Sequence, residues 1–225
     1  MNDQQTAELD WKDGEIPVSV QFDDPYFSLA GGLDETRYVF LQGNDLPARF
    51  TDGFHIAELG FGTGLNLLAT IGLWKASGQT GRLHFTTFEA FPMTIPDMAR
   101  ALSAFPEVAE DAPALLAALE NGPGPHDLPS GVRFTMITGD ARESIRAWDG
   151  AVDAWFLDGF SPAKNPEMWE EPLMQAVASR LKQGGTIATY TAAGFVRRAL
   201  TEAGVSVERI KGYANKRHMT RGMKL

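Results

Sequence analysis

Glu58-Leu-Gly60-Phe-Gly62-Thr-Gly64 joins a short apolar run, 54–59, to a stretch that is apolar on helical spacing, 65–74. Glycines at such a junction let the backbone turn sharply and let a ligand approach the N-terminus of the helix. Their spacing then selects the ligand. A dinucleotide site needs G-x-G-x-x-G/A, and the sixth position counted from Gly60 is Leu65. A phosphate loop needs Lys and Ser/Thr after its last glycine, where this chain has Leu65 and Asn66. What remains is E-x-G-x-G-x-G, with a carboxylate at the strand end. Glu58 repels a phosphate and attracts an ammonium or a sulfonium, and S-adenosylmethionine carries both. The structural alternative is a tight turn built from small residues.

Three more carboxylates close strand candidates. Glu89 ends the run 84–88, where it either accepts hydrogen bonds from two ribose hydroxyls or caps the following turn. Asp140, in Thr138-Gly-Asp140-Ala, either accepts from an adenine amine or is the N-cap of the next helix. Asp158 ends the run 152–157 and is followed by Gly159, Phe160 and a loop bracketed by Pro162 and Pro166. Ligands on open parallel sheets lie beyond the carboxyl ends of the strands. Asp158 is thereby expected beside the reactive end of whatever the glycines hold, or else it only organises the loop. Phe160 either grips a flat substrate or is a core aromatic beneath that loop.

The elements that must position these groups alternate. Strands are expected at 54–59, 84–88, 132–138, 152–157 and 185–190, and helices at 65–74, 93–120, 141–148, 169–182 and 193–203. The long helical stretch is expected to break at Pro96, Pro106 and Pro113. Residues 205–211 and 218–224 are expected to form a terminal hairpin, and 121–130 a loop. This alternation predicts an α/β protein with a mostly parallel sheet covered on both faces. Residues 1–50 read as a β-rich extension, with alternating stretches at 16–22 and 38–41, packed on a single 51–225 domain.

Three segments resemble the methyltransferase domain of MnmC-type tRNA modification proteins. They are Glu58-Leu-Gly-Phe-Gly-Thr-Gly-Leu-Asn66, Leu157-Asp-Gly-Phe-Ser-Pro-Ala-Lys-Asn-Pro166 with Met168-Trp169, and Thr191-Ala-Ala-Gly-Phe-Val-Arg-Arg198. Asp24-Pro-Tyr26-Phe-Ser, Leu33-Asp-Glu-Thr-Arg-Tyr-Val-Phe40 and Lys211-Gly-Tyr-Ala-Asn-Lys-Arg217 match that domain's ends. The resemblance implies a class I S-adenosylmethionine-dependent methyltransferase fold: a Rossmann-like sheet of seven strands, the last antiparallel. It implies methyl transfer to the 5-aminomethyl group of a tRNA wobble uridine, giving 5-methylaminomethyl(-2-thio)uridine. On it, the cofactor is S-adenosyl-L-methionine, held by Tyr26, Glu58, Gly60, Gly62, Gly64, Asn66, Glu89, Asp140 and Asp158. Asp158 positions the amine first and acts as a base second, and Phe160 stacks on the uracil. Bifunctional members carry a flavin-dependent oxidase domain that makes the amine. No flavin-type fingerprint is present here, so the resemblance is to the stand-alone form, with a separate enzyme supplying the aminomethyl uridine.

Composition limits the partners. The net charge is -9, from 20 Lys plus Arg against 29 Asp plus Glu, which argues against indiscriminate nucleic-acid binding. From Arg209 onward, however, there are six Lys or Arg and no acid. With Lys164, Arg197 and Arg198 expected on the same rim, Lys216 and Arg217 are candidates for tRNA phosphate contacts. There is no Cys, and four His do not suggest a metal cluster. No apolar run reaches membrane-spanning length, and no signal pattern opens the chain, so a cytoplasmic location is expected. An S-adenosylmethionine enzyme acting on a small-molecule amine is the nearest rival. A polyamine synthase, a non-catalytic binding subunit and a dehydrogenase each fit fewer of these residues.

Overall fold

The computed structural model describes residues 6–28 and 31–225. It opens with a small antiparallel sheet of β1 (Leu9–Lys12), β2 (Ile16–Ser19) and β3 (Asp24–Pro25). A helical stretch follows: α1 (Gly32–Thr36), a π-helical turn (Arg37–Leu41) and a 3-10 turn (Gln42–Asn44). Strands and helices then alternate through β4 (Phe54–Leu59), α2 (Leu65–Ala76), β5 (Leu83–Glu89), α3 (Ile95–Leu102) and α4 (Ala112–Glu120). The remainder is β6 (His126–Leu128), β7 (Val132–Thr138), α5 (Ala141–Ala147), β8 (Val152–Leu157), α6 (Glu171–Arg180), β9 (Leu181–Thr189), α7 (Gly194–Glu202), β10 (Val205–Ile210) and β11 (Met219–Lys224).

The large sheet has the order β10-β11-β9-β8-β4-β5-β7-β6. β4 pairs in parallel with both β5 and β8, and β11 runs antiparallel between β9 and β10. The chain moves outward from β4 through β5 to β7, then crosses back to β8. That reversal leaves a crevice at the carboxyl ends of β4 and β8, where doubly wound sheets bind ligands. Burial on both faces explains why β8 is apolar from Ala154 to Leu157, all four fully buried. One face packs Leu68, Ile71 and Trp74 of α2 against Phe85 and Phe134; the other packs Ile145, Leu173, Val177 and Leu200 around Trp155.

Three expectations are corrected. Residues 38–41 are helical, not a strand: Val39, Phe40 and Leu41 are all buried, and three consecutive apolar side chains lack the alternation of a half-exposed strand. Among the described residues the large sheet has eight strands instead of seven, because 126–128, read as loop, adds β6 antiparallel to the edge of β7. Pro96 and Pro113 sit in the first turns of α3 and α4, where the missing N–H has no helical partner to lose, so they start helices instead of breaking one.

Gly60 shows why the strand ends need glycine. Its φ is +75°, and a Cβ there would lie 3.0 Å from the Gly159 Cα. The turns after β4 and β8 thus touch backbone to backbone at the sheet's switch point.

Candidate active site

A cavity of about 980 Å³ opens at this point, at the upper end of the size range of small-molecule sites. Gly60 and Gly62 form part of its floor, and Glu89, Asp140 and Asp158 line it at the ends of β5, β7 and β8. The Glu89 carboxylate is aimed by two backbone donors, Gly62 N–H at 3.1 Å and Phe91 N–H at 2.9 Å. Tyr26 lies over Gly62, with its Cδ1 3.1 Å from where a Cβ would stand. Burial, and then the charge of Glu89, push the Tyr26 phenol well above its ordinary value, so it stays neutral. Asp140 is the N-cap of α5, accepting from Arg142 N–H at 2.8 Å, and it also faces the cavity. Both readings of this residue are therefore compatible with its place.

Asp158 is half-buried on the wall and held by two donors. Asn66 Nδ2 donates to its Oδ2 at 2.7 Å and Gly159 N–H to its Oδ1 at 2.9 Å. Despite these bonds, burial pushes its pKa up to about 6, with a further upward push from the Glu35 charge and a downward pull from Lys216. Asn66 also donates to Glu58 Oε1 at 2.9 Å and accepts from Thr36 Oγ1 at 2.8 Å. The second Glu58 oxygen accepts from Thr87 Oγ1 at 2.8 Å. A single amide thus bridges a buried carboxyl group and a cavity carboxylate.

The roof joins the loop after β8 to the N-terminal segment. Asp24 accepts from Ser161 N–H at 2.9 Å, and Lys164 pairs with Asp23. Trp169 Nε1 donates to the Phe160 carbonyl at 2.9 Å, and Tyr190 Oη to the Gly159 carbonyl at 2.8 Å. Phe160 stacks on Phe22 at 4.8 Å between ring centres and meets the Tyr26 ring edge-on at 5.0 Å. Phe160 does line the cavity, but one of its faces is already covered by Phe22.

Other residues fall elsewhere than expected. Glu58 is 0% exposed and lies beneath the cavity, not on its wall, so its contact with a ligand would run through Asn66. Gly64 does not line the cavity either; it is the left-handed cap of α2, with Leu115 and Phe61 against it. Lys164 and Lys216 reach the cavity, but Arg197 and Arg198 do not. They lie one turn into α7, which runs back along the sheet, and line a separate shallow groove with Thr201 and Glu202. Arg217 is also outside the lining. Arg197, Arg209 and Arg217 nevertheless crowd His218, whose imidazole is held below its ordinary value by desolvation and then by those three charges. Sequence reasoning assigned no role to Phe22, Glu35, Phe91 or Tyr190, all of which line the cavity. Tyr190 was the most accessible of these, since it directly follows β9 and strand ends carry the site.

The donor set selects a ligand class. Among the described residues, every lysine or arginine on the lining is already held by a carboxylate: Arg142 by Asp140 and Glu167, Lys164 by Asp23, and Lys216 by Glu35. None of these cations stands unpaired inside the cavity to hold a phosphate group of a small ligand. Three strand-end carboxylates do suit hydroxyls, amines and a sulfonium, which are the polar groups of S-adenosyl-L-methionine. Among the described residues, no helix is long and apolar enough to cross a membrane, and no cluster of His, Asp and Glu could hold a metal.

Comparison with known proteins agrees with this chemistry. A family model described as S-adenosyl-L-methionine-dependent methyltransferase matches residues 116–225. The tRNA 5-methylaminomethyl-2-thiouridine biosynthesis bifunctional protein MnmC of Aeromonas hydrophila is 47% identical, over 96% of this chain and 35% of its own length. The chain thus spans about a third of the curated relatives it matches. The crystal structure of MNMC2 from Aquifex aeolicus superimposes with a TM-score of 0.76 at 27% identity, over 98% of this chain and 71% of that one. Spermidine synthase from Thermotoga maritima, with a TM-score of 0.56 and 11% identity over 98% of this chain and 73% of its own, shares the fold alone. Nearly all of its length aligns with one part of the MnmC proteins, and the chain is an S-adenosyl-L-methionine-dependent methyltransferase similar to the methyltransferase domain of that family.

Proposed function

We propose that this chain methylates the exocyclic amine of 5-aminomethyl(-2-thio)uridine at the wobble position of tRNA, giving 5-methylaminomethyl(-2-thio)uridine. The observation that carries the reading is Asp158, a carboxylate with a pKa raised to about 6, fixed at the switch point beside the glycine turn and the Phe160 loop. When bound, S-adenosyl-L-methionine supplies a methyl carbon that exchanges its bond to sulfur for one to the amine nitrogen. Glu89, Asp140 and the Gly60–Gly62 turn would hold its adenosine and amino acid parts, with Tyr26 closing over them.

The residues of the chain have two tasks: to orient the amine and to deal with its proton. An alkylamine resembles a lysine side chain, with an ordinary pKa of about 10.4, and is mostly protonated at neutral pH. Asp158 accepts a hydrogen bond from it, turns the lone pair inward and takes the proton. A pKa near that of a working base suits this role better than the ordinary value of a surface aspartate. Phe160, backed by Phe22, lines the cavity and is the candidate to stack on the base. Lys164, Lys216, Arg217 and the arginines around His218 are the candidates for phosphate contacts.

Glu89→Ala is expected to weaken S-adenosyl-L-methionine binding by about 10- to 100-fold, the loss of one or two charge-assisted hydrogen bonds, with the fold intact. Calorimetric titration checks this, and unchanged affinity would remove Glu89 from the cofactor site. The reaction is tested by mass spectrometry of wobble nucleosides from tRNA bearing the aminomethyl group, incubated with the protein and cofactor. A gain of one methyl on that nucleoside is the expected result. Methylation of free amines with none on the RNA would favour the small-molecule rival.

A further inference from the structure

The Lys216 ammonium lies 2.5 Å from Glu35 Oε1 and 4.8 Å from the centre of the Tyr190 ring, inside the cavity that Asp158 lines. A carboxylate beside an aromatic face is a combination that holds an alkylammonium. The two partners of the ion pair differ in how they are built. The Glu35 side chain is 12% exposed and belongs to the wall; that of Lys216 is 48% exposed and reaches in from the turn between β10 and β11.

Both wall groups are tied to Asp158. Tyr190 donates to the carbonyl of Gly159, the residue after Asp158. Glu35 precedes Thr36, whose hydroxyl donates to the Asn66 amide that in turn donates to Asp158. The Glu35 and Lys216 charges act on Asp158 with opposite sign, as groups sharing one compartment do.

We infer that Glu35 and Tyr190 form the subsite for the aminomethyl ammonium of the substrate, and that Lys216 occupies it as an internal stand-in until an RNA phosphate draws it out. The inference rests on the 5-aminomethyluridine reading above. A substrate with a phosphodiester backbone offers Lys216 another anion at the moment its own ammonium needs Glu35. A free amine or nucleoside offers none, and has to compete with a tethered cation. The stand-in therefore selects for amines carried on a polyanion.

The test uses one amine on two carriers: an anticodon stem-loop RNA containing 5-aminomethyluridine, and the free 5-aminomethyluridine nucleoside. Lys216→Met is expected to raise kcat/KM for the nucleoside about ten-fold through a lower KM, the combined worth of an ion pair and a cation–ring contact of this exposure. The same change is expected to lower kcat/KM for the RNA. Lys216→Arg, which keeps the cation, should leave the nucleoside as poor a substrate as in the wild type. Glu35→Gln should raise KM for both carriers. Nucleoside kinetics unchanged or worsened in Lys216→Met, or KM values unmoved by Glu35→Gln, would overturn the inference while leaving the proposed reaction standing. Absence of turnover on both carriers by the wild type would instead overturn the proposed reaction.

Discussion

Asp158→Asn is expected to lower kcat by at least about 10²-fold while raising thermal stability near pH 8. The two effects have one origin. Burial raises the Asp158 pKa from 3.8 to about 6, so the folded protein holds this proton more tightly than the unfolded chain does. Its contribution to stability is then present below the unfolded value near 3.8 and is lost as pH rises through about 6. At neutral pH the ionised form costs roughly 1–3 kcal/mol, at about 1.4 kcal/mol per pKa unit. Asparagine removes the charge and still offers an oxygen to the Asn66 amide, at the loss of the Gly159 N–H bond, so the larger part of that cost disappears. For a chain of this length, Tm should rise by several degrees, at about 2–4 °C per kcal/mol. Asparagine cannot take a proton from the amine, and kcat falls. In the wild type, kcat/KM should rise with pH through an acid limb near 6, which the variant lacks. A variant with near-normal turnover, or one less stable than the wild type near pH 8, would show that Asp158 is a structural carboxylate.

The strands that build this site were legible because burial on both faces writes itself into composition. β4 and β8 are mostly apolar and buried on both faces, whereas β7 showed itself by alternating buried and half-exposed side chains. The strand-end acids followed from topology, since a parallel sheet places its ligand beyond the carboxyl ends. What the sequence hid were contacts between distant segments. Glu35 is one acid among 29, and nothing local marks it as a wall residue; only the packing of α1 against α2 carries it to the cavity. Phe22 looked like the end of a strand, yet it leaves β2 and covers Phe160. Arg197 and Arg198 lie off the cavity for the opposite reason. Their motif directly follows β9, but one turn of helix is enough to take a side chain off the rim. The 38–41 misreading has a simpler basis: a four-residue apolar run fits a strand or a buried helical turn equally well.

The strongest dependence on a single neutral residue is expected at Asn66. Its amide gives both of its protons to carboxyl groups, Glu58 at 2.9 Å and Asp158 at 2.7 Å, and takes one from Thr36. Glu58 is completely buried, and burial first of all drives its pKa well above the ordinary range. Asn66→Asp keeps the size of the side chain but removes both donors and places a third acid between the other two. Near pH 5 the trio can share protons and remain hydrogen-bonded. Near pH 8 at least one more negative charge must sit among acids in a site with little water. The introduced carboxyl group would thus have a folded pKa above its unfolded value of about 3.9, so the stability that depends on its proton is lost as pH rises through the raised value. Destabilisation relative to the wild type should be small near pH 5 and reach about 3–5 kcal/mol near pH 8, the usual loss for an uncompensated buried charge. Calorimetric Tm values at the two pH values would show it as a gap that opens by roughly 10 °C. The acid limb of kcat/KM should also move upward, because Asp158 loses the donor that now favours its ionised form. A gap of equal size at both pH values would mean that Asn66 acts through packing alone, and would separate Glu58 from the chemistry at Asp158.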